Sequence, residues 1–488
     1  MQNVLRDLSP NNVFKFFEEI TRIPRGSGNE KQISDYLVAF AKERNLEVIQ
    51  DKALNVIIKK PATPGYENAP IVILQGHMDM VNEKNKETVH DFEKDPIKLR
   101  VLDDMIYATD TTLGADNGIA IAYALALLDS KDLPHPAIEA LITTDEESTM
   151  GGAIALDGAN LNGRLLVNID SEEEGKLLVS SAGGTKAKVI IPIAWEAAKS
   201  DCDTIKISIG GLKGGHSGME INKGRGNANK LMGRLLNEIS GEVEIHMNLI
   251  NGGVKSNAIP REMEVVAQVA KNDLGKLQQK LAEIEAVIKN ELRAADPEVY
   301  VKLETGVEAV ERVFDKETQR KITGFLVMVP NGIQSMSMEI EGLVESSTNL
   351  GVVMTQGDSF ITINEIRSSV RSLKRNTLNT VKTLAATLGG EARVESDYPE
   401  WEYNPNSKMR KLFQEVYKDM TGKDAEIIAI HAGLECGVLI QKLPGMDAIS
   451  MGPNIFDVHT PNEHFSISST EKVWNYLLEV LKNMNKMA

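Results

Sequence analysis

Cysteine is scarce in this sequence of 488 residues, which contains only Cys202 and Cys436. Two cysteines cannot form the disulfide framework of a small secreted domain, so we expect a reducing, cytoplasmic location. An excess of basic residues is also missing, because 54 Lys and Arg face 70 Asp and Glu, for a net charge of −16. Nucleic acids and anionic membrane surfaces are bound by clustered Lys and Arg. We therefore expect neither nucleic acid nor a membrane as a partner.

Long apolar runs are missing as well. The longest one covers residues 118–128, and a helix that spans a bilayer needs about twenty apolar residues. The first ten residues lack the apolar core of a secretory signal. Hydrophobic residues nevertheless make up 42% of the chain, which is ample for large cores. At roughly 150 residues per domain, the length indicates about three units.

The order of the predicted elements divides the chain. Up to residue 185, short β-branched strands alternate with amphipathic helices, which predicts an α/β fold with a mixed, mostly parallel sheet flanked by helices. Residues 186–397 favour antiparallel strands with interspersed helices, and from residue 398 the α/β pattern returns. We therefore predict one discontinuous domain, 1–185 with 398–488, and an inserted α+β domain, 186–397. Ser256-Asn257 and Ser347-Thr348-Asn349, each expected before a strand, suggest two related halves of the insert.

Polar side chains follow several of the predicted strands, where α/β sheets bind their ligands. His77 and Asp79 come after the strand at residues 71–74 and share one face of the extended chain. A carboxylate in that position can orient a metal-bound imidazole, and the alternative is an ordinary histidine at a strand end. Asp116, between glycines at the start of an apolar helix, is either an N-cap or a carboxylate that bridges two cations.

Three further motifs carry carboxylates or an imidazole. Glu146 and Glu147 follow the strand at residues 137–142, and one of them could bind metal while the other takes a proton from water. Asp170 follows another short strand and by itself is indistinguishable from a turn residue. His459 lies in a loop that contains a proline, with His464 as a competitor for the same role.

Taken together, the motifs predict a metal centre. They supply imidazoles and carboxylates without cysteine, a set suited to zinc and related hydrolytic metals: His77, Asp116, Glu147, Asp170 and His459. If Asp116 bridges, each metal has one histidine and one further carboxylate, which leaves a position open for water. Two metals about 3.5–4 Å apart could activate that water and polarise a carbonyl. Glu146 is then free to act as a general base.

The order of these motifs resembles that of the co-catalytic zinc metallopeptidases, which include carboxypeptidase G, aminoacylase and many dipeptidases. The motifs that carry the resemblance are His77-x-Asp79, Gly114-Ala115-Asp116-Asn117-Gly118, Asp145-Glu146-Glu147, Asp170 and His459-Thr460-Pro461-Asn462-Glu463. The resemblance covers nearly the whole chain. The segments 211–218 (GLKGGHSG) and 431–437 (HAGLECG) resemble in particular the aminoacyl-histidine dipeptidase, or carnosinase-like, branch of that superfamily.

The resemblance implies a metallopeptidase that hydrolyses Xaa-His and other dipeptides, such as β-alanyl-histidine, with hydroxide activated by two zinc ions per chain. Mn²⁺ and Co²⁺ are alternatives that the ligands also admit. By resemblance, one zinc is bound by His77 and Asp170, the other by Glu147 and His459, and Asp116 bridges both. Asp79 is expected to orient His77, and Glu146 is the expected general base. A cis peptide bond after Asp116 is also implied.

The resemblance also assigns residues of the insert, which is expected to act as a lid. His216 is expected to donate a hydrogen bond to the oxyanion, with help from Asn257. Arg367 is the candidate for the substrate carboxylate, and Arg371 is its competitor. Outside the insert, Gly433 is expected to let the backbone approach the substrate.

Two alternative functions remain open from the sequence. An N-acyl-amino-acid hydrolase or a small carboxypeptidase would use the same metals on a different amide. A zinc-binding protein without catalysis is the third reading. The sequence leaves open whether the chain is a monomer or a homodimer.

Overall fold

The computed structural model describes residues 3–487 of the chain. In chain order the strands are β1 Glu47–Gln50, β2 Val56–Lys60, β3 Val72–His77, β4 Leu99–Leu102, β5 Met105–Ala108, β6 Ile138–Thr143, β7 Leu165–Asn168, β8 Lys176–Ser181, β9 Gly183–Pro192, β10 Trp195–Ala197, β11 Cys202–Gly210, β12 Gly215–His216, β13 Ile245–Gly252, β14 Ala258–Ile259, β15 Met263–Ala270, β16 Tyr300–Thr305, β17 Arg312–Phe314, β18 Gly332–Met336, β19 Val344–Gln356, β20 Ser359–Ser368, β21 Glu391–Tyr398, β22 Glu426–Ile430, β23 Asp447–Ser450, β24 Ile455–Phe456 and β25 His464–Ser466. The α-helices are α1 Asn11–Ile20, α2 Lys31–Glu43, α3 Ala115–Asp129, α4 Glu146–Thr149, α5 Gly151–Ala155, α6 Ala228–Ser240, α7 Leu274–Glu291, α8 Lys316–Met328, α9 Arg371–Thr387, α10 Lys408–Thr421, α11 Glu435–Lys442 and α12 Ile467–Asn483.

The chain forms two compact units. The first contains the described residues within Met1–Ser180, Tyr403–Ala429 and Leu434–Ala488, and the second contains Ser181–Glu402 together with the short segment Ile430–Gly433. No helix within residues 3–487 has both the length and the apolar character that crossing a bilayer requires.

The first unit is built on an eight-stranded sheet in the order β1-β2-β6-β3-β7-β23-β8-β22. Its central strands are parallel, because β3 pairs in parallel with β6 and β7, and β23 pairs in parallel with β7. The pairs β1–β2, β2–β6 and β8–β23 are antiparallel. The predicted α/β class, with a mixed sheet flanked by helices, is confirmed. The parallel pairing is concentrated at the centre of the sheet.

Helix α3 packs against β3 and α1 in the first unit. Its sequence is apolar on all sides, and 13 of its 15 residues are buried, as expected for a helix without a solvent-facing stripe. Gly76 of β3 allows this close approach, because a Cβ atom there would clash with the Cβ of Ala120. The helix start is thereby held beside the end of β3.

The second unit has a nine-stranded sheet in the order β16-β11-β15-β13-β19-β20-β9-β21, with β18 paired to β19. Alternate residues of β9 and β11 are buried, which is the pattern of a sheet with one face on a core. Helices α6 to α9 contribute apolar side chains to that core. The predicted position of Ser347-Thr348-Asn349 before a strand is wrong, because all three residues lie inside β19.

Candidate metal centre

Three neighbouring strands of the first unit end next to imidazole or carboxylate side chains. β3 ends at His77, α4 begins at Glu146 shortly after β6, and Asp170 lies two residues beyond the end of β7. β3 lies between β6 and β7 and is parallel to both. The carboxyl ends of parallel strands meet at one sheet edge, so these side chains converge there together with Glu147.

The loop that carries Asp116 is fixed by a buried glutamate. The Glu463 carboxylate accepts four consecutive backbone N–H groups, those of residues 113–116, at 2.7–3.2 Å. Gly114 has a φ of +71°, a left-handed conformation that glycine adopts readily. The peptide bond between Asp116 and Asn117 is cis, as the resemblance implied. Asp116 therefore lies in a loop in which the backbone N–H groups of residues 113–116 all donate to Glu463.

Asp116 faces two histidines with different oxygen atoms. Its Oδ1 lies 3.1 Å from His77 Nε2, and its Oδ2 lies 3.2 Å from His459 Nε2. Asp170 Oδ1 lies 3.5 Å from His77 Nε2, and Glu147 Oε2 lies 3.0 Å from His459 Nε2. Two groups suited to a metal ion result, His77-Asp116-Asp170 and Asp116-Glu147-His459.

The electrostatics of both groups favour added positive charge. Burial acts to lower the pKa of His77, but Asp170 and Asp116 hold it well above its ordinary value. Hydrogen bonds to Asp116 and Glu147 raise the pKa of His459 to about 10. Burial, together with the neighbouring carboxylates, raises the pKa of Asp170 to about 6. Imidazoles and carboxylates packed in this way fit a pair of divalent cations, because cations would neutralise the crowded acidic groups.

Asp79 contacts both His77 and the start of helix α4. It is fully buried, and its Oδ1 lies 3.3 Å from Nδ1 of His77, the ring nitrogen that faces away from Asp116. The same carboxylate accepts the backbone N–H groups of Glu146 and Glu147 at 3.1 and 3.2 Å, and the hydroxyl of Ser27 at 2.8 Å. Asp79 therefore holds both the ring of His77 and the start of α4.

Glu146 belongs to neither group of ligands. Its Oε2 lies 4.0 Å from His77 Nε2. Burial raises the pKa of Glu146 well above its ordinary value, and the nearby carboxylates of Asp170, Glu435 and Glu147 raise it further, whereas His77 opposes the shift. A carboxylate with a raised pKa close to, but outside, the ligand set is suited to accepting and returning a proton.

Three buried charged residues of the first unit had no predicted role. Arg25 donates to the carbonyl oxygens of Met78 and Asp79 at 3.0 and 3.1 Å and also to that of Gly114. Glu463 and Glu435 lie in segments that carry the resemblance, yet nothing in the sequence assigned them a role. Burial raises the pKa of Glu435 to about 7. Arg25 has no sequence signal, because its carbonyl partners become visible only in the fold.

His216 lies at the end of β12 in the second unit and is half-buried. Its Nδ1 accepts the backbone N–H groups of Gly218 and Met219 at 3.2 and 3.0 Å. An imidazole whose Nδ1 accepts carries its proton on Nε2, which makes that atom a donor. Burial and the positive charge of Arg367 lower the pKa of His216, so the ring is neutral at neutral pH.

Arg367 of β20 is a buried cation close to His216. A Cβ atom built on Gly218 would lie 3.1 Å from His216 Cε1 and 3.3 Å from Arg367 Nε, so both side chains border this glycine. Arg367 donates to the hydroxyl of Tyr398 at 2.7 Å, while its Nε has no partner among the described residues. Its competitor Arg371 is bonded to Glu400 at 2.6 Å and its side chain is 61% exposed.

The remaining predicted residues also lie in the second unit. Asn257 is exposed, and its carbonyl oxygen accepts the backbone N–H of Ser217 at 2.9 Å. Gly433, which the sequence placed outside the insert, lies in the segment Ile430–Gly433 of the second unit. His431 of that segment was not predicted. It is buried, and its Nε2 lies 2.6 Å from the hydroxyl of Ser347.

Comparisons with known proteins identify relatives of this chain. The family model described as Peptidase family M20/M25/M40 matches residues 73–483. The chain is 38% identical over 481 residues to the cytosol non-specific dipeptidase of Escherichia coli (strain K12), and the match covers 98% of this chain and 99% of the relative.

Two solved structures are similar to this chain. The crystal structure of aminoacylhistidine dipeptidase from Vibrio alginolyticus has a TM-score of 0.93 and 37% sequence identity, and the match covers 98% of this chain and 97% of that one. A tripeptidase from Staphylococcus aureus has a TM-score of 0.55 at 19% identity, covering 98% of this chain and 99% of that one. The second match concerns the fold alone.

Proposed function

The chain belongs to peptidase family M20/M25/M40, and from this premise we propose that it is a metal-dependent dipeptidase acting on Xaa-His and other dipeptides. The matched residues 73–483 include every residue of the candidate metal centre. The relative from E. coli, named as a cytosol non-specific dipeptidase, supports dipeptides as substrates and a cytosolic location. The match to an aminoacylhistidine dipeptidase structure supports histidine as the second residue of the substrate.

The observation that carries the proposal is that the two oxygen atoms of the Asp116 carboxylate contact different histidines, His77 and His459. His77, Asp116 and Asp170 would hold one ion, and Asp116, Glu147 and His459 would hold the other. We assign Zn²⁺ to both positions, with Mn²⁺ or Co²⁺ as substitutes, because imidazole and carboxylate ligands suit all three. When bound, such a pair of ions lowers the pKa of a water molecule and polarises the carbonyl of the substrate.

The protein's own groups move the proton and hold the ligands. Glu146 takes the proton from the attacking water and returns it to the departing amine, a role that its raised pKa supports. Asp79 holds the ring of His77 so that Nε2 faces the ligand cluster, since its backbone carbonyl oxygen and its carboxylate lie 3.2 and 3.3 Å from Nδ1. The carboxylate of Asp79 also keeps the backbone of Glu146 in place.

Residues of the second unit receive roles in substrate binding. His216 donates from Nε2 to the oxygen of the reacting carbonyl, a contact usually worth several kcal/mol in the transition state. Arg367 binds the carboxylate of the substrate. Its buried position supports this role, as does its Nε, which has no partner in the described part of the chain. Asn257 assists at the same carbonyl, and Gly433 provides a backbone surface against which the substrate lies.

A hydrolysis panel on metal-stripped enzyme tests the proposal. Zn²⁺, Mn²⁺ and Co²⁺ are added back separately, and turnover is measured with alanyl-histidine, β-alanyl-histidine, other dipeptides, tripeptides and N-acetyl amino acids. We expect metal-dependent cleavage of dipeptides, with Xaa-His among the best substrates. Preferential cleavage of N-acetyl amino acids, or of residues at the carboxyl end of longer peptides, would instead identify an N-acyl-amino-acid hydrolase or a small carboxypeptidase.

A further inference from the structure

Glu435 is a fully buried carboxylate at the start of α11 that belongs to neither group of metal ligands. Its Oε2 accepts two hydrogen bonds, from Nε2 of Gln75 at 2.6 Å and from the hydroxyl of Thr143 at 2.7 Å. Gln75 belongs to β3 and Thr143 to β6. One oxygen atom from a helix therefore joins the ends of two adjacent strands.

The network continues to a third strand. Oε1 of Gln75 accepts a hydrogen bond from Nδ2 of Asn168 at 2.6 Å, and Asn168 is the last residue of β7. All four side chains are buried. Because Thr143 has a single hydroxyl proton, it donates at 2.7 Å to Glu435 rather than at 3.3 Å to the carbonyl of Gly76.

The strand residues of this network stand next to the predicted ligands. His77 lies two residues after Gln75 on β3 and is paired in register with Thr143, and Asp170 lies two residues after Asn168. A displacement of one strand end relative to its neighbour would therefore move a ligand of one ion relative to the rest of the set. Metal ligands tolerate displacements of only a few tenths of an ångström.

We propose that Glu435 is a positioning residue that fixes the relative placement of the strand ends carrying the metal ligands. This inference rests on the proposed function, because it concerns the ions that this function requires. Glu435 is the shared acceptor of two buried donors. Without it, Gln75 Nε2 keeps only its 3.2 Å bond to the Thr143 hydroxyl, and that hydroxyl keeps only its 3.3 Å contact with the carbonyl of Gly76. The loss of the two short bonds to Glu435 is costly for buried donors and favours rearrangement of the strand ends.

The chain offers a matched control in the same sheet. Glu139 belongs to β6, the strand that contains Thr143, and is also buried. Its carboxylate accepts the backbone N–H groups of Asn162 and Gly163 at 2.9 Å. Glu139 lies four residues before Thr143, so it is away from the carboxyl end of β6. Glu139→Ala therefore removes a buried carboxylate with comparable hydrogen bonds, but leaves the strand ends at the candidate centre bonded as before.

Metal binding is the readout that separates positioning from stability alone. The apo forms of the full-length wild type, Glu435→Ala, Glu435→Gln and Glu139→Ala are titrated with Co²⁺, following heat and visible absorption, and thermal unfolding is recorded alongside. We expect Glu435→Ala to bind Co²⁺ about 10- to 100-fold more weakly and with an altered absorption spectrum. Glu435→Gln keeps a carbonyl acceptor for both donors, so its affinity should stay within about threefold of the wild type, as should that of Glu139→Ala.

Three results would overturn the inference. Wild-type affinity and spectrum in Glu435→Ala would show that the ligands do not depend on this residue. If Glu139→Ala weakened Co²⁺ binding as much as Glu435→Ala, the effect would be general destabilisation. If Glu435→Gln weakened Co²⁺ binding as much, the charge of Glu435 would matter and not its role as a hydrogen-bond acceptor. If Glu435→Ala does not fold, Thr143→Val serves instead. It removes one of the two donors, and unchanged Co²⁺ affinity and spectrum there would contradict the inference.

The same titration separates this inference from the proposed function. If the wild type binds two Co²⁺ ions and Glu435→Ala binds them equally well, only the role of Glu435 fails. If the wild type binds fewer than two, the two-metal proposal fails and the role of Glu435 falls with it.

Discussion

Asp79 accepts the backbone N–H of Glu146 through the same oxygen that faces His77. The Oδ1 atom lies 3.1 Å from Glu146 N and 3.3 Å from His77 Nδ1. A residue proposed to bind metal and the residue proposed as general base are thus held by one buried carboxylate. Their separation depends on Asp79, and a change there should affect metal binding and proton transfer together.

Asp79→Asn should weaken metal binding as well as catalysis. The substitution replaces one acceptor oxygen by an NH₂ group, so the backbone N–H groups of Glu146 and Glu147 cannot both be accepted as in the wild type. We expect metal affinity to fall about 10- to 100-fold, measured by titration of the apo enzyme, and kcat/KM to fall at least as much. Ser27→Ala, which removes a donor to Asp79 but keeps its carboxylate, should have a much smaller effect; equal effects of the two variants would contradict this role.

Glu146→Gln should separate turnover from metal content. Loss of a general base lowers kcat by about 10²- to 10⁴-fold, and Glu146 is outside both ligand groups, so two metal ions should remain bound. Metal content by mass spectrometry and kcat with a dipeptide are measured on the same samples. Glu147→Gln is the contrasting variant and should lose metal as well as turnover. Near-wild-type hydrolysis by Glu146→Gln would show that another group accepts the proton.

Arg367 and Arg371 should differ sharply in their effect on substrate binding. Arg367 is buried and its Nε has no partner within residues 3–487, whereas Arg371 is exposed and bonded to Glu400. We expect Arg367→Gln to lower kcat/KM for dipeptides by about 10- to 100-fold, because a charged hydrogen bond is worth roughly 1.5–3 kcal/mol. Arg371→Gln should change kcat/KM by less than about threefold, as typical for exposed ion pairs. The reverse order would reassign the carboxylate-binding role to Arg371.

Much of the candidate metal centre could be predicted because its residues follow short apolar runs. His77, Glu147 and Asp170 lie at or just after the ends of β3, β6 and β7, and parallel strands bring their carboxyl ends to one edge of a sheet. The sequence order of the motifs therefore already implied that they converge. What it could not supply were the distances, such as the two separate contacts of Asp116 with His77 and His459.

The buried charges that support the centre could not be predicted in this way. Arg25 and Glu435 are of residue types that normally face solvent, and their partners are backbone carbonyls or side chains that are distant in sequence. The start of strand β19 was not predicted for a related reason. Its segment 345–349 is polar, although residues 346–349 are buried, so neither alternation nor an apolar run indicates that the strand begins there.

His431 should make the stability of the enzyme depend on pH in a specific range. Burial, together with the positive charge of Arg367, lowers the pKa of His431 from 6.5 to about 3. Below pH 6.5 the unfolded chain therefore binds a proton at this residue that the native protein does not bind. The stabilising contribution of neutral His431 is complete above pH 6.5 and is lost progressively as the pH falls towards 3.

Between about pH 7.5 and about pH 5.5 this linkage should cost the wild type about 1.4 kcal/mol of unfolding free energy. His431→Gln cannot titrate, so although it is less stable than the wild type at the higher pH, it should lose less stability on acidification. Denaturant unfolding at both pH values measures the difference, with His246→Gln as a histidine control on β13 of the same unit. An equal acid-induced loss in wild type and His431→Gln would mean that His431 is protonated in the folded protein, and that its contact with the Ser347 hydroxyl does not require a neutral ring.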